Sequence, residues 1–219
     1  MSLKKNRPYS LNEEIFHSIS HGVGILLAVV GTTIMLTLSA LFYGPLAVAS
    51  AAVYGASLIV MFTMSTLYHA IPFPTAKRIL QILDHDSIYL LIAGTYTPIT
   101  LISLRDSPKG MIILIIVWLA AVLGAVLNTV DMQKYKKISQ LLYVAMGWAV
   151  AWDFASVVHA LGRGGFALLM AGGLCYTIGI IFYRLKKIQF MHGIWHLFVV
   201  AGGVLHYLCV LLFVLPHAR

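Results

Sequence analysis

Residues 110–130 read GMIILIIVWLAAVLGAVLNTV, and no charged side chain interrupts them. A helix that crosses the hydrocarbon core of a bilayer needs about 20 mainly apolar residues, and this stretch supplies them without a break. Six further apolar runs of similar length lie on either side of it, at 18–41, 45–69, 84–104, 138–159, 164–184 and 192–215. Turn chemistry or charge marks the breaks: Tyr43-Gly44-Pro45, Pro72-Phe73-Pro74, Asp106-Ser107-Pro108, the polar stretch 131–137, the glycines around Arg163, and Lys186-Lys187. The expected fold is therefore an all-α integral membrane protein, a seven-transmembrane helix bundle. It has one transmembrane domain at 18–215, a cytoplasmic segment at 1–17 and a short outer tail at 216–219. No loop is long enough to fold alone, and no internal repeat is visible.

Composition agrees. Hydrophobic residues make up 60% of the 219-residue chain and charged residues 10%, whereas an ordinary soluble chain is about a quarter charged. Lipid must cover what the protein cannot bury. The net charge of +8 raises nucleic acid as a partner, but the basic residues sit in short clusters between apolar runs, so no nucleic acid is expected. Cys175 and Cys209 lie inside apolar runs and read as buried free thiols, not as a disulfide framework. The first apolar run is long enough to span and shows no small-residue cleavage site, so no removable signal peptide is expected.

Orientation follows from the cations. With the N-terminus inside, Lys4, Lys5, Arg7, Lys77, Arg78, Lys134, Lys136, Lys137, Arg184, Lys186 and Lys187 all fall on the cytoplasmic side. Only Arg105, Lys109, Arg163 and Arg219 fall outside. This bias places the N-terminus in the cytoplasm and the C-terminus outside.

Polar groups at the ends of membrane helices are costly and tend to mark function. On this topology, Ser65 and His69 end the second span on the cytoplasmic side. Asp84, His85 and Asp86 begin the third there, and His192 and His196 begin the seventh. His192 and His196 are four apart and project from one helix face, a spacing by which a helix offers two nitrogens to one metal. His69 supplies a third ligand, and three histidines with an open fourth position describe a catalytic-type zinc site. Ser65 is four before His69 on the ligand face, and Asp84 can hold a water or orient a ligand. The same histidines also read as interfacial residues meeting headgroups and water, and spacing alone leaves both readings open. His17 and His21, with Glu14 three residues before His17, form a rival four-spaced pair. His85, His159, His206 and His217 read as interfacial or packing residues. Asp153, deep in the fifth span, reads either as a buried hydrogen-bond partner or as the lining of a polar cavity. Gly94 and Pro98 are expected to bend the third span, and Gly172-Gly173 and Gly202-Gly203 to allow close helix approach.

Ser65-x-x-x-His69, Leu83-Asp84-His85 followed by 88–98 (IYLLIAGTYTP), and His192-x-x-x-His196, with Glu13-Glu14-Ile15 and Ser20-His21-Gly22, resemble the haemolysin III branch of the progestin and adipoQ receptor family. The resemblance covers nearly the whole chain. It implies a seven-helix fold with a cytoplasmic-side zinc held by His69, His192 and His196, Asp84 reaching the metal through water, and Ser65 beside it. His17 departs from the pattern, since bacterial members usually carry Asn there.

The leading functional expectation is a zinc-dependent lipid amide or ester hydrolase with ceramidase-like chemistry. Zinc makes water nucleophilic at neutral pH, Asp84 accepts its proton, and the Ser65 hydroxyl stabilises the developing oxyanion. The partner is then a membrane lipid, as substrate or ligand, and the location is the bacterial inner membrane. Two alternatives stand beside it: a membrane-permeabilising haemolysin (a cytolysin), and a sensor or receptor of membrane state with a structural zinc. The sequence names neither the lipid nor an oligomeric state.

Overall fold

The computed structural model describes residues 9–185 and 187–218. Residues 1–8 of the 1–17 segment, with Lys4, Lys5 and Arg7, lie outside the described residues, as do Lys186 and Arg219. The described residues are helical with no strand: α1 (Leu11–Leu38), α2 (Pro45–Ala70), α3 (Pro74–Pro98), α4 (Pro108–Gly147), α5 (Phe154–Arg184) and α6 (Met191–Cys209). Proline starts α2, α3 and α4, where its missing N–H costs nothing and its fixed φ suits the first turn.

Among the described residues, four stretches are long and apolar enough to cross a membrane: Leu11–Tyr43, Pro45–Ala70, Pro108–Arg184 and Met191–Ala218. The helix α3 is less apolar because Lys77, Arg78, Asp84 and Asp86 lie in its first half. The long 108–184 stretch is not one rod. Asp131 leaves the helical region at φ −160°, ψ 90°, and Asn128 and Ser139, eleven residues apart, are joined by a 2.6 Å hydrogen bond. In a continuous helix they would be roughly 16 Å apart at about 1.5 Å per residue, so the chain folds back at Asp131. Gly162 does the same for α5. Its φ of 61° lies in the left-handed region that favours glycine, and it lets Phe154 and Phe166 bring their rings within 5.0 Å.

The packing order is α1 on α2, α2 on α3, α3 on α4 and α5 on α6, and α1 also packs on α6, bringing first and last helices together. Polarity is inverted relative to a soluble protein. Leu26, Val30, Ile115, Leu119, Val126 and Val130 are exposed, while Glu13, Glu14, His17, His21, His69, Asp84 and His196 are buried. Lipid in place of water explains both halves of that pattern.

A Cβ on Gly94 of α3 would collide with Ser57 of α2, so the glycine serves close approach of two helices. At the opposite end from the histidines, buried Asp153 accepts from Ser107 Oγ and from Ser156 Oγ (2.9 Å), with Lys109 Nζ 3.9 Å away. It is a hydrogen-bond partner that ties the start of α5 to the start of α4.

Candidate metal centre

The site begins with how α1 begins. Ser10 caps the helix: its Oγ accepts from the Glu13 amide at 3.4 Å, and Glu13 Oε2 accepts from the Ser10 amide at 2.9 Å. This reciprocal box sets the helical phase, so Glu14, His17 and His21, spaced three and four apart, share the buried face. The other Glu13 oxygen accepts from the Phe190 amide at 3.0 Å, immediately before α6. One carboxylate thus fixes the starts of the first and last helices side by side.

α6 meets α1 at Gly193, where a Cβ would run into the Phe16 ring and come within 3.2 Å of the His17 ring. The missing side chain lets α1 come close, and His17 enters the space between His69, His192 and His196. The His17 ring centroid lies 4.6 Å from that of His69, 4.8 Å from His192 and 5.1 Å from His196. Among the other three the separations are 5.3 Å (His69–His192), 5.1 Å (His69–His196) and 4.8 Å (His192–His196). His17, His69 and His192 offer nitrogens all within 4.8 Å of one another, a set able to hold a metal ion.

Hydrogen bonding fixes how two of the rings are oriented. His69 Nδ1 lies 2.7 Å from Glu14 Oε2; an ionised carboxylate only accepts, so Nδ1 donates. Lys77 holds the other Glu14 oxygen at 2.7 Å. Ser20 Oγ already donates to the His17 carbonyl at 2.9 Å, so His196 Nδ1, 3.1 Å away, donates to Ser20. Both rings are left with Nε2 as a lone-pair acceptor, which is the ligand form of a histidine whose other nitrogen is held. The Nε2 atoms of His17, His69, His192 and His196 are buried without a hydrogen-bond partner. Buried polar atoms are ordinarily satisfied, and a cation is a partner that the free lone pairs on His69 and His196 Nε2 fit.

His21 stacks on His196 at 3.7 Å and 11°. Tyr9 lies over His192 at 4.9 Å and 27°. Burial pushes the Tyr9 phenol well above its usual pKa, with Tyr68, Tyr183, Glu14 and Asp84 adding to the effect, so it stays a neutral cover for the histidines.

The site residues expected from the sequence fall as follows. His69 and His192 fall with His17 in the set whose nitrogens lie within 4.8 Å of one another, while His196, the third ligand expected from the sequence, lies outside that set with its ring packed against theirs. Ser65 is buried on the His69 face of α2, with an unpartnered Oγ. Asp84 is buried beside His85 (Oδ2 to Nδ1 3.7 Å) and faces a cavity of about 620 Å³ that His192 also lines. Tyr68, Ile88, Leu91, Tyr176 and Trp195 continue its largely apolar wall. His206 instead holds the Leu169 carbonyl at 3.0 Å, a packing role. The spacing singled out Glu14, His17 and His21 as a rival group on one helix face, but not Glu14 as the partner of His69 nor His17 as a neighbour of His69 and His192.

The family model described as haemolysin-III related matches residues 9–207. The chain belongs to that family. It is 40% identical over 208 residues to Hemolysin-3 of Bacillus cereus, covering 95% of this chain and 94% of that one. It is 37% identical over 205 residues to the Hemolysin-3 homolog of Bacillus subtilis (strain 168), covering 94% and 96%. The human monocyte to macrophage differentiation factor is 28% identical over 205 residues, covering 90% and 83%. Family membership and the apolar helices make this a multipass protein of the bacterial cell membrane.

Proposed function

We propose that this haemolysin III family member binds zinc at its histidine cluster and hydrolyses an amide- or ester-linked membrane lipid. It would cross the bilayer seven times, with its N-terminus in the cytoplasm and its C-terminus outside. The observation that carries the reading is the meeting of His192 and Asp84 on one largely apolar cavity of about 620 Å³, a volume within the usual range of ligand pockets. The fold-backs at Asp131 and Gly162 support seven crossings, because they divide the 108–184 stretch into three arms beside α1, α2, α3 and α6.

When bound, zinc supplies the Lewis acidity that makes water nucleophilic at neutral pH. His69, His192 and His196 would hold it, and Glu14 would keep the His69 ring in its ligating tautomer. Asp84 would take the proton from the attacking water, and the Ser65 hydroxyl would donate to the oxyanion forming on the lipid carbonyl. The apolar wall would seat the acyl chains and exclude bulk water.

Asp84→Asn tests this directly. General-base assistance is worth ~10²–10⁴-fold in rate, so the variant should lose hydrolysis of a ceramide-like or ester-linked lipid while retaining most of its metal. Intact lipid after long incubation with zinc-loaded wild type would sink the hydrolase reading. The second reading, a membrane-state sensor pinned by zinc, is favoured by one observation, the crowding of His17 into the ligand set. Permeabilisation, the activity in the name of the Bacillus cereus relative, would instead release dye from liposomes without cleaving lipid.

A further inference from the structure

We infer that His17 is a fourth protein ligand, so that this chain closes its metal site with four imidazoles from three helices. The inference rests on the metal-binding part of the proposed function and goes beyond its three-histidine set.

The spacing of the rings is the first support. Zinc–nitrogen bonds are about 2.0–2.1 Å, and an imidazole centroid lies roughly 1.2 Å beyond its ligating nitrogen. Four such rings arranged tetrahedrally have centroids about 5.2 Å apart by that geometry. The six separations among His17, His69, His192 and His196 run from 4.6 to 5.3 Å. The nitrogens agree for His17, which offers one within 4.8 Å of those of His69 and His192.

Hydrogen bonding is the second. His17 is fully buried and its Nε2 has no partner. Its Nδ1 lies 3.3 Å from His69 Nδ1, but that nitrogen already gives its proton to Glu14 and has no lone pair to offer. Neither His17 nitrogen therefore has an acceptor or donor suited to it among the described residues, whereas a cation at the ring would satisfy one.

The third support is that the backbone is shaped for this approach. Gly193 sits between Met191-His192 and His196, and its missing side chain is what admits α1. Glu13, four residues before His17, holds the start of α6 through the Phe190 amide. These contacts press His17 toward the ligands that α6 carries.

A filled fourth position changes the chemistry. Water and substrate then reach the ion only by displacing His17 or by expansion to five ligands, which zinc tolerates. His17 becomes the group that sets whether the site is closed or open.

The test uses the full chain in detergent, loaded with Co²⁺ and titrated with azide while the visible absorption is recorded. The wild-type spectrum should be tetrahedral and indifferent to azide. His17→Asn should bind Co²⁺ at least tenfold more weakly and acquire an azide-dependent spectrum. His17→Gly should do the same and recover the wild-type spectrum on addition of free imidazole. A wild-type spectrum that already responds to azide overturns the assignment, and so does equal affinity in wild type and His17→Asn. The wild-type titration decides the matter even where a variant does not fold. Absence of lipid hydrolysis leaves this spectrum untouched, so failure of the hydrolase reading and failure of the His17 assignment are read separately.

Discussion

The Glu14 carboxylate and the His69 imidazole meet across the α1–α2 interface at 2.7 Å, with Lys77 on the other carboxylate oxygen at the same distance. This carboxylate fixes which nitrogen of the His69 ring carries the proton and leaves Nε2 free to bind a metal. Such outer partners typically contribute 10–100-fold in metal affinity. Glu14→Gln keeps the shape but loses the charge, so zinc affinity, measured by competition with a chromophoric chelator, should fall by about that factor. Unchanged affinity would mean that His69 is held by packing alone.

Loss of both α6 histidines should be far more severe. The His192→Ala, His196→Ala double variant should purify without stoichiometric zinc by elemental analysis, since two ligands rarely hold the ion. Full metal content in that protein would place the ion with His17 and His21 instead.

Gly193→Val puts a branched side chain where the Phe16 and His17 rings now lie. Overpacking of this kind costs about 1–3 kcal/mol. Both the thermal midpoint and the zinc affinity should drop, because α1 must retreat from α6. A variant as stable and as tight as wild type would show that α1 is not seated as described.

Asp153→Ala removes the acceptor that holds Ser107 and Ser156 at the other end of the bundle. Losing hydrogen bonds from these half-buried hydroxyls costs about 0.5–1.5 kcal/mol each, so the protein should melt earlier while zinc content stays at the wild-type level. A parallel loss of zinc would show that the two ends are coupled.

Reporter fusions check the orientation. A fusion after Glu14 should report from the cytoplasm and one at Arg219 from outside, as the distribution of Lys and Arg requires. A cytoplasmic signal at Arg219 would reverse the seven-crossing arrangement.

The helical class was legible at once from the uncharged run 110–130, because lipid exposure writes itself into composition. His69 and His192 were legible as neighbours because both stand at helix ends that topology assigns to one side. Helix starts were less so: hydropathy begins at 18, yet α1 begins at Leu11, where Ser10 and Glu13 form a cap that no hydropathy average registers. His17 was visible as one of a spaced pair but not as part of the cluster. Which helix lies against α6 is a packing decision, and the residue that permits it, Gly193, announces itself only by having no side chain. Glu14 was hidden for the same reason: its partner His69 is 55 residues away, on another helix.

The histidines that gather in this site come from α1, α2 and α6, so their order along the chain gives the site a time of birth. A ribosome that has passed His69 has made two of them, buried in a bundle with no companions. The others are not made until the last helix emerges, more than a hundred residues later. Metal taken up by these histidines therefore could not guide insertion of the first helices; it would lock the chain only once α6 has been made. A product that stopped before α6 would retain most of its membrane helices yet lack the two histidines that α6 carries to the site.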